Sequence, residues 1–187
     1  PMPHEPAMNE TPVAQDEVRR VRRLTLWLGG GALLLAAALA AMPLLANRPR
    51  PAPDVTITLL NGSQPSVAEL RGQVVLVSFW STTCAPCMEE MPALIAFHER
   101  NGPRGLRTLA VAMKHDPADR VLGFTQRHRL PFEVALDTQG TVAQAFSRTE
   151  VTPTKFLIDR EGRIVKTFVG STHFGELQQR VDALLAG

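Results

Sequence analysis

Val74-Val-Leu-Val-Ser-Phe-Trp80, running into Ser81-Thr-Thr-Cys84-Ala-Pro-Cys87-Met-Glu-Glu-Met-Pro92, is the stretch whose reading decides the fold. Its first seven residues are β-branched or apolar on both faces. That pattern predicts a strand buried on both sides in a parallel sheet. A polar turn, Ser81 to Thr83, follows, and then a helix from Cys84 to Arg100, stopped by Gly102-Pro103 and Gly105. A helix start presents unpaired N–H groups and partial positive charge, so a thiolate at Cys84 is stabilised there. The spacing puts Cys87 on the same face of the first turn, within disulfide reach. Pro86 sits where its missing N–H costs nothing, and Pro92 is expected to kink the helix.

Outward from this stretch, strands and helices alternate. Val55 to Leu60 alternates and is followed by Asn61-Gly62, which predicts a short hairpin. Val67 to Gly72 reads as a turn of helix. Leu106 to Met113 reads as a second buried strand, Ala118 to Arg129 as a helix, Phe132 to Leu136 as a short strand and Val142 to Phe146 as a short helix. Thr154 to Ile158 and Ile164 to Val169 flank Asp159-Arg-Glu-Gly162 and read as a β-hairpin; Phe174 to Leu185 reads as a final helix, capped by Ser171 or Thr172. The expected class is α/β, with a mixed central sheet flanked by helices. Pro153, in Val151-Thr-Pro-Thr154, stands at a strand start, one of the places where a cis proline occurs. If it is cis and packs against the Cys84 sulfur, the Thr152 backbone is free to pair with an incoming peptide.

The N-terminal third has a different character. Residues 1–18 are polar and proline-rich, and Arg19, Arg20, Arg22 and Arg23 form a basic cluster. An uncharged run, Leu24 to Ala46, follows. As a helix it would span roughly 35 Å, enough for a hydrocarbon core of about 30 Å. The expected organisation is a cytoplasmic basic tail (1–23), a transmembrane signal-anchor (24–46), a stiff Pro-rich linker (47–53) and one domain (54–187). Arginines before the run put the N-terminus in the cytoplasm. A cleaved signal peptide and a buried core helix are the other readings of the run; its length disfavours the first and its lack of a polar face the second.

Apolar residues make up 44% and charged residues 20% of 187, which excludes a wholly disordered chain. The formal net charge of +2 resides in residues 1–53, and residues 54–187 hold equal numbers of acids and bases. A neutral body has no electrostatic footprint for nucleic acid. Two cysteines exclude a multi-disulfide scaffold and a four-cysteine zinc module.

Phe79-Trp80-Ser-Thr-Thr-Cys-Ala-Pro-Cys-Met-Glu-Glu-Met-Pro92, Leu70-Arg-Gly-Gln73, the Thr152-Pro153-Thr154 loop and Phe156-Leu-Ile-Asp-Arg-Glu-Gly162 resemble the membrane-anchored TlpA/ResA family of thioredoxin-like proteins. The resemblance covers about residues 54–187. It implies a thioredoxin-like fold and a thiol–disulfide reductase in the periplasm, held by one helix in a bacterial inner membrane. Cys84 and Cys87 would be the catalytic pair, with Trp80, Thr152 and Pro153 contacting substrate and Pro86 and His115 tuning the pair. No cofactor beyond the Cys84–Cys87 disulfide and no metal are expected. The implied partners are disulfide-containing exported proteins and a membrane electron donor of the DsbD/CcdA type. Cytochrome c maturation and copper-site assembly are the implied pathways.

The chain departs from the family pattern in three places. Thr83 stands where a Trp usually precedes the first cysteine. Ser78 stands where thioredoxins bury an Asp. Met113-Lys-His-Asp116 stands where some members carry a Glu, so His115 is a candidate proton shuttle. Glu89 and Glu90 read as surface charges, and His98, His128 and His173 as surface residues. Two other functions use the same cysteines: oxidation of substrate dithiols, and copper delivery with His115 or Met113 as additional soft or borderline ligands.

Overall fold

The computed structural model describes residues 49–187; the expected tail and signal-anchor, 1–23 and 24–46, lie outside the described residues. One mixed six-stranded sheet organises the domain: β1 (Arg50–Pro51), β2 (Val74–Trp80), β3 (Leu106–Ala112), β4 (Glu133–Leu136), β5 (Thr154–Ile158) and β6 (Arg163–Val169), in the order β1-β6-β5-β2-β3-β4. Strands β2, β3 and β4 are mutually parallel, whereas β5 and β6 run antiparallel to their neighbours. The helices are α1 (Ala85–Asn101), α2 (Ala118–His128), α3 (Thr141–Ala145) and α4 (Phe174–Ala186).

All seven residues of β2 are buried, as a strand covered on both faces requires. Alternation sorts them. Val75, Val77 and Phe79 join Leu109, Val111, Phe156 and Ile158 on one side. There Phe146 and Phe156 stack around Phe79, with ring centroids 5.1–5.9 Å apart. Val74, Leu76 and Trp80 face the other way, toward Cys87, Met91 and Leu94 of α1, Val121 of α2, and Leu177 and Val181 of α4. The motif helix therefore packs on the same face as Trp80, Ser78 and Leu76.

Two local expectations are refined. The 55–60 segment turns back on residues 63–67 as a short hairpin without regular strands: Ile57 N–H donates to Pro65 C=O and Leu59 N–H to Ser63 C=O, each at 2.9 Å, and Val67 N–H to Val55 C=O at 3.0 Å. It makes isolated bridges, Thr56 with Ser66 and Leu59 with Ala135, and Leu60 N–H donates to Val134 C=O at 2.8 Å. The Asn61-Gly62 turn does form, with Asn61 Oδ1 accepting from the Ser63 amide at 3.0 Å. Pro65 in the return arm has no N–H to give, which keeps this ladder short, and the outgoing arm also reaches β4. Residues 50–51 of the expected linker pair with Ile164 and Arg163 as an edge strand, and Ala52 N–H donates to Gly162 C=O at 2.8 Å. Edge positions tolerate proline because the missing donor faces outward. Pro92 is exposed, and α1 runs unbroken from Ala85 to Asn101 past it. Among the described residues no helix is long and apolar enough to cross a membrane.

Candidate active site

Cys84 caps the start of α1 with extended backbone (φ −87°, ψ 103°), and its sulfur accepts a hydrogen bond from the Cys87 amide at 3.2 Å. The two cysteines are joined in a disulfide, their Cα atoms 5.2 Å apart. Cys84 is half-buried, whereas Cys87 is 1% exposed. Pro86 is exposed in the first turn of α1, where its absent N–H leaves no gap.

The turn before the pair is fixed from several sides. Buried Ser81 accepts from the Thr83 amide through its hydroxyl (3.2 Å), and from the Cys84 amide through its carbonyl (3.2 Å). The Thr82 amide and hydroxyl both donate to the Asp116 carboxylate, each at 2.6 Å. Asp116 follows β3, and the Met113 amide donates to Trp80 C=O at 3.0 Å. The ends of β2 and β3 are thereby laced together beneath Cys84. Thr83 is exposed.

The Thr152–Pro153 peptide bond is cis. Its loop is closed by Thr154 Oγ1 donating to Val151 C=O (2.8 Å) and by Gly170 N–H donating to Pro153 C=O (2.8 Å). The β2–β5 register pairs Phe79 with Thr154, which brings the loop to the end of the sheet where β2 delivers the Cys84 turn. None of the hydrogen bonds among the described residues uses the Thr152 backbone. Trp80 is 2% exposed and packs on Phe124 at 5.3 Å between ring centroids; its indole N–H is buried without a partner among the described residues. Trp80 is therefore a floor beneath the pair rather than an exposed contact surface.

Glu90 departs from the sequence reading. It is largely buried, accepts from the Thr172 amide at 3.1 Å, and forms an ion pair with the fully buried ammonium of Lys155. Lys155 stands opposite Ser78 in the β2–β5 register. Burial pulls the Lys155 pKa down, partly offset by the Glu90 hydrogen bond and charge. The period of α1 carried the signal: Glu90 is three residues from Cys87, on the buried face, and Lys155 is the one charge inside an apolar strand. His98 is also less exposed than expected. Its Nδ1 lies 3.0 Å from Thr108 Oγ1, its ring meets Phe132 edge-on, and burial lowers its pKa.

His115 is exposed. With Met113, Lys114, Gln144, Arg148 and Glu150 it lines a cavity of about 410 Å³ whose lining includes neither cysteine. Among the described residues no group of three or more His, Cys, Asp or Glu side chains is placed to hold a metal ion.

A disulfide-forming pair at the head of a helix, backed by a mixed sheet and approached by a cis-proline loop, defines a thiol–disulfide oxidoreductase of thioredoxin-like fold. The Redoxin family pattern matches residues 48–184, and the chain belongs to that family, as a TlpA/ResA-like member. The thiol–disulfide oxidoreductase ResA of Geobacillus thermodenitrificans is 31% identical over 133 residues, 71% of this chain and 75% of that protein. The thioredoxin-like protein YneN of Bacillus subtilis is 29% identical, covering 70% of this chain and 76% of YneN. Among solved structures, a thioredoxin-type protein of Neisseria meningitidis superposes with a TM-score of 0.68 at 38% identity, over 73% of this chain and 90% of that one. A DsbE-type thiol:disulfide interchange protein of Chlorobium tepidum gives 0.66 at 26% identity, over 74% and 97%.

Proposed function

We propose that this oxidoreductase works as a reductase of disulfides in exported proteins, tethered outside the cytoplasm by residues 24–46. The observation that carries the reading is the asymmetry of the pair: Cys84 reaches solvent at the helix start while Cys87 is buried one turn deeper. Cys84 is the attacking nucleophile, and Cys87 resolves the mixed disulfide. The substrate peptide lies along the Thr152 backbone, which makes no hydrogen bond among the described residues. An uncharged run of 23 residues behind four arginines supports the tether and its orientation. The names of the ResA and DsbE relatives support thiol–disulfide chemistry of this type. A membrane donor of the DsbD/CcdA type resets the pair, and the substrates belong to cytochrome c maturation or copper-site assembly.

The direction of electron flow is tested by the reduction potential of Cys84–Cys87. A value below roughly −220 mV supports a reductase that needs a strong electron source. A value near about −120 mV makes the protein an oxidant of dithiols and overturns the reductase reading.

A further inference from the structure

We propose that the cavity beside the cis-proline loop is a specificity site of the oxidoreductase. It takes an acidic side chain of the substrate peptide, close in sequence to the cysteine that Cys84 attacks, and holds it with Lys114, His115 and Arg148. The proposal rests on the thiol–disulfide reading above and names the class of peptide that the site selects.

The cavity, about 410 Å³, has one wall from Met113 to His115, just past β3, and another from Thr149 and Glu150, which lead into the loop of Thr152 and Pro153. Both walls adjoin the active-site surface. His115 precedes Asp116, whose carboxylate holds Thr82, two residues before Cys84. Glu150 precedes Thr152 by two residues. A peptide extended along the Thr152 backbone advances about 3.3 Å per residue, so in one direction a side chain about two positions from its cysteine lies over the cavity instead of the disulfide.

The walls present positive charge. The stem of Lys114 lies against Gly140 so closely that a Cβ there would stand 2.9 Å from Lys114 Cδ. Gly140 also has a φ of +73°, so glycine suits the position twice over. Ser147 and Arg148 hold left-handed backbone, φ 64° and 53°, uncommon for non-glycine residues. Their turn is pinned by Arg148 N–H donating to Gln144 C=O at 3.0 Å and Thr149 N–H donating to Ala143 C=O at 2.8 Å. Strained backbone that its surroundings hold in place clusters at ligand clamps, and this turn sets Arg148 in the cavity wall.

That charge has no internal counterpart. Lys114 and Arg148 form no salt bridge among the described residues, and neither does Glu150, the one acid in the lining. Nearby acids are committed elsewhere: Asp116 to Thr82, and buried Asp137 to the amides of Val142 and Ala143 at 3.1 and 2.8 Å. Residues 54–187 are neutral as a whole, so an ammonium, a guanidinium and an imidazole around one cavity are a local excess. A carboxylate fits them, because it accepts from all three donors at once. The Met113-to-Asp116 stretch is one of the places where the chain departs from the family pattern, so this selectivity is its own.

The test uses the reduced full chain and disulfide-linked peptide dimers that carry Glu or Lys near the cysteine, placed before it in one pair and after it in another. The readout is the second-order rate of peptide reduction, divided by the rate with uncharged hydroxyethyl disulfide. In one placement the Glu peptide is expected to react about tenfold faster than the Lys peptide at low salt, since an exposed charge pair contributes up to about fivefold and several act together. The preference is expected to shrink to about twofold near 1 M salt, where the screening length is about 3 Å. Lys114→Glu with Arg148→Asn is expected to invert it; asparagine tolerates left-handed backbone. Lys114→Gln, a change at an exposed side chain, is expected to weaken it about threefold and serves if the double variant fails to fold. Wild-type protein that shows no faster reaction of the Glu peptide in either placement overturns the proposal, as does a preference that the folded variants keep. A wild-type chain that reduces neither the peptides nor hydroxyethyl disulfide overturns the reductase reading instead.

Discussion

Thr82 and Asp116 are clasped by two hydrogen bonds, one from the threonine amide and one from its hydroxyl, across 34 residues of sequence. The clasp holds the turn that presents Cys84. Hydrogen bonds to a charged group contribute about 1.5–3 kcal/mol. Asp116→Ala is expected to cost roughly 2–3 kcal/mol in urea unfolding and to slow disulfide reduction by loosening the turn. Asp116→Asn, which still accepts from Thr82, is expected to lose about half as much.

The two cysteines are expected to fail differently. Cys84→Ala abolishes turnover. Cys87→Ala still attacks but cannot resolve, so a covalent complex accumulates that runs as a higher band on non-reducing gels and collapses with dithiothreitol. Full turnover in Cys84→Ala would falsify the assigned order.

His98 gives the fold a pH dependence. Burial holds its pKa below the ordinary 6.5, so between the two values the unfolded chain binds more protons than the folded one. Stability therefore rises with pH across the interval just under 6.5 and levels off above it. Thermal melts between pH 5 and 7 are expected to show a rising Tm. His98→Gln is expected to flatten that part of the curve; an unchanged slope would assign it to other groups.

Phe156 closes the aromatic trio with Phe79 and Phe146 behind the active-site strand and is 2% exposed. Phe156→Ala is expected to cost about 3–5 kcal/mol, read as a lower urea midpoint with an unchanged slope. Trp80→Phe is expected to cost much less, since the indole N–H it removes has no partner among the described residues.

Most of the fold was legible because the strong signals are local. The apolar run of β2, the Cys84–Cys87 spacing and the Asp159-Arg-Glu-Gly162 turn each carry their structure within a few residues. Boundaries of β3, α2, β4 and α4 moved by one residue. The Cys84–Cys87 disulfide and the cis bond at Pro153 were legible from spacing and position alone. What escaped was long-range. Glu90 reads as a solvated helix charge until β5 delivers a lysine 65 residues later. Asp116 reads as loop polarity until Thr82 is seen beside it. Leu59 bonds its own return arm at Ser63, as alternation suggests, but it also bridges to Ala135, which nothing nearby in sequence announces. His98 directly follows buried Phe97, yet only the packing of β3 and Phe132 encloses it.

The short β1 strand sets how the domain bears load. Arg50 and Pro51 join β6 beside the 159–162 turn, at the end of β5 away from Thr154 and the cysteines, about 17 Å along five residues. Tension applied to the chain before Pro49 enters through that edge and peels a two-residue zipper one rung at a time. The reactive cysteines therefore lie at the opposite end of the sheet from the edge where the chain enters it.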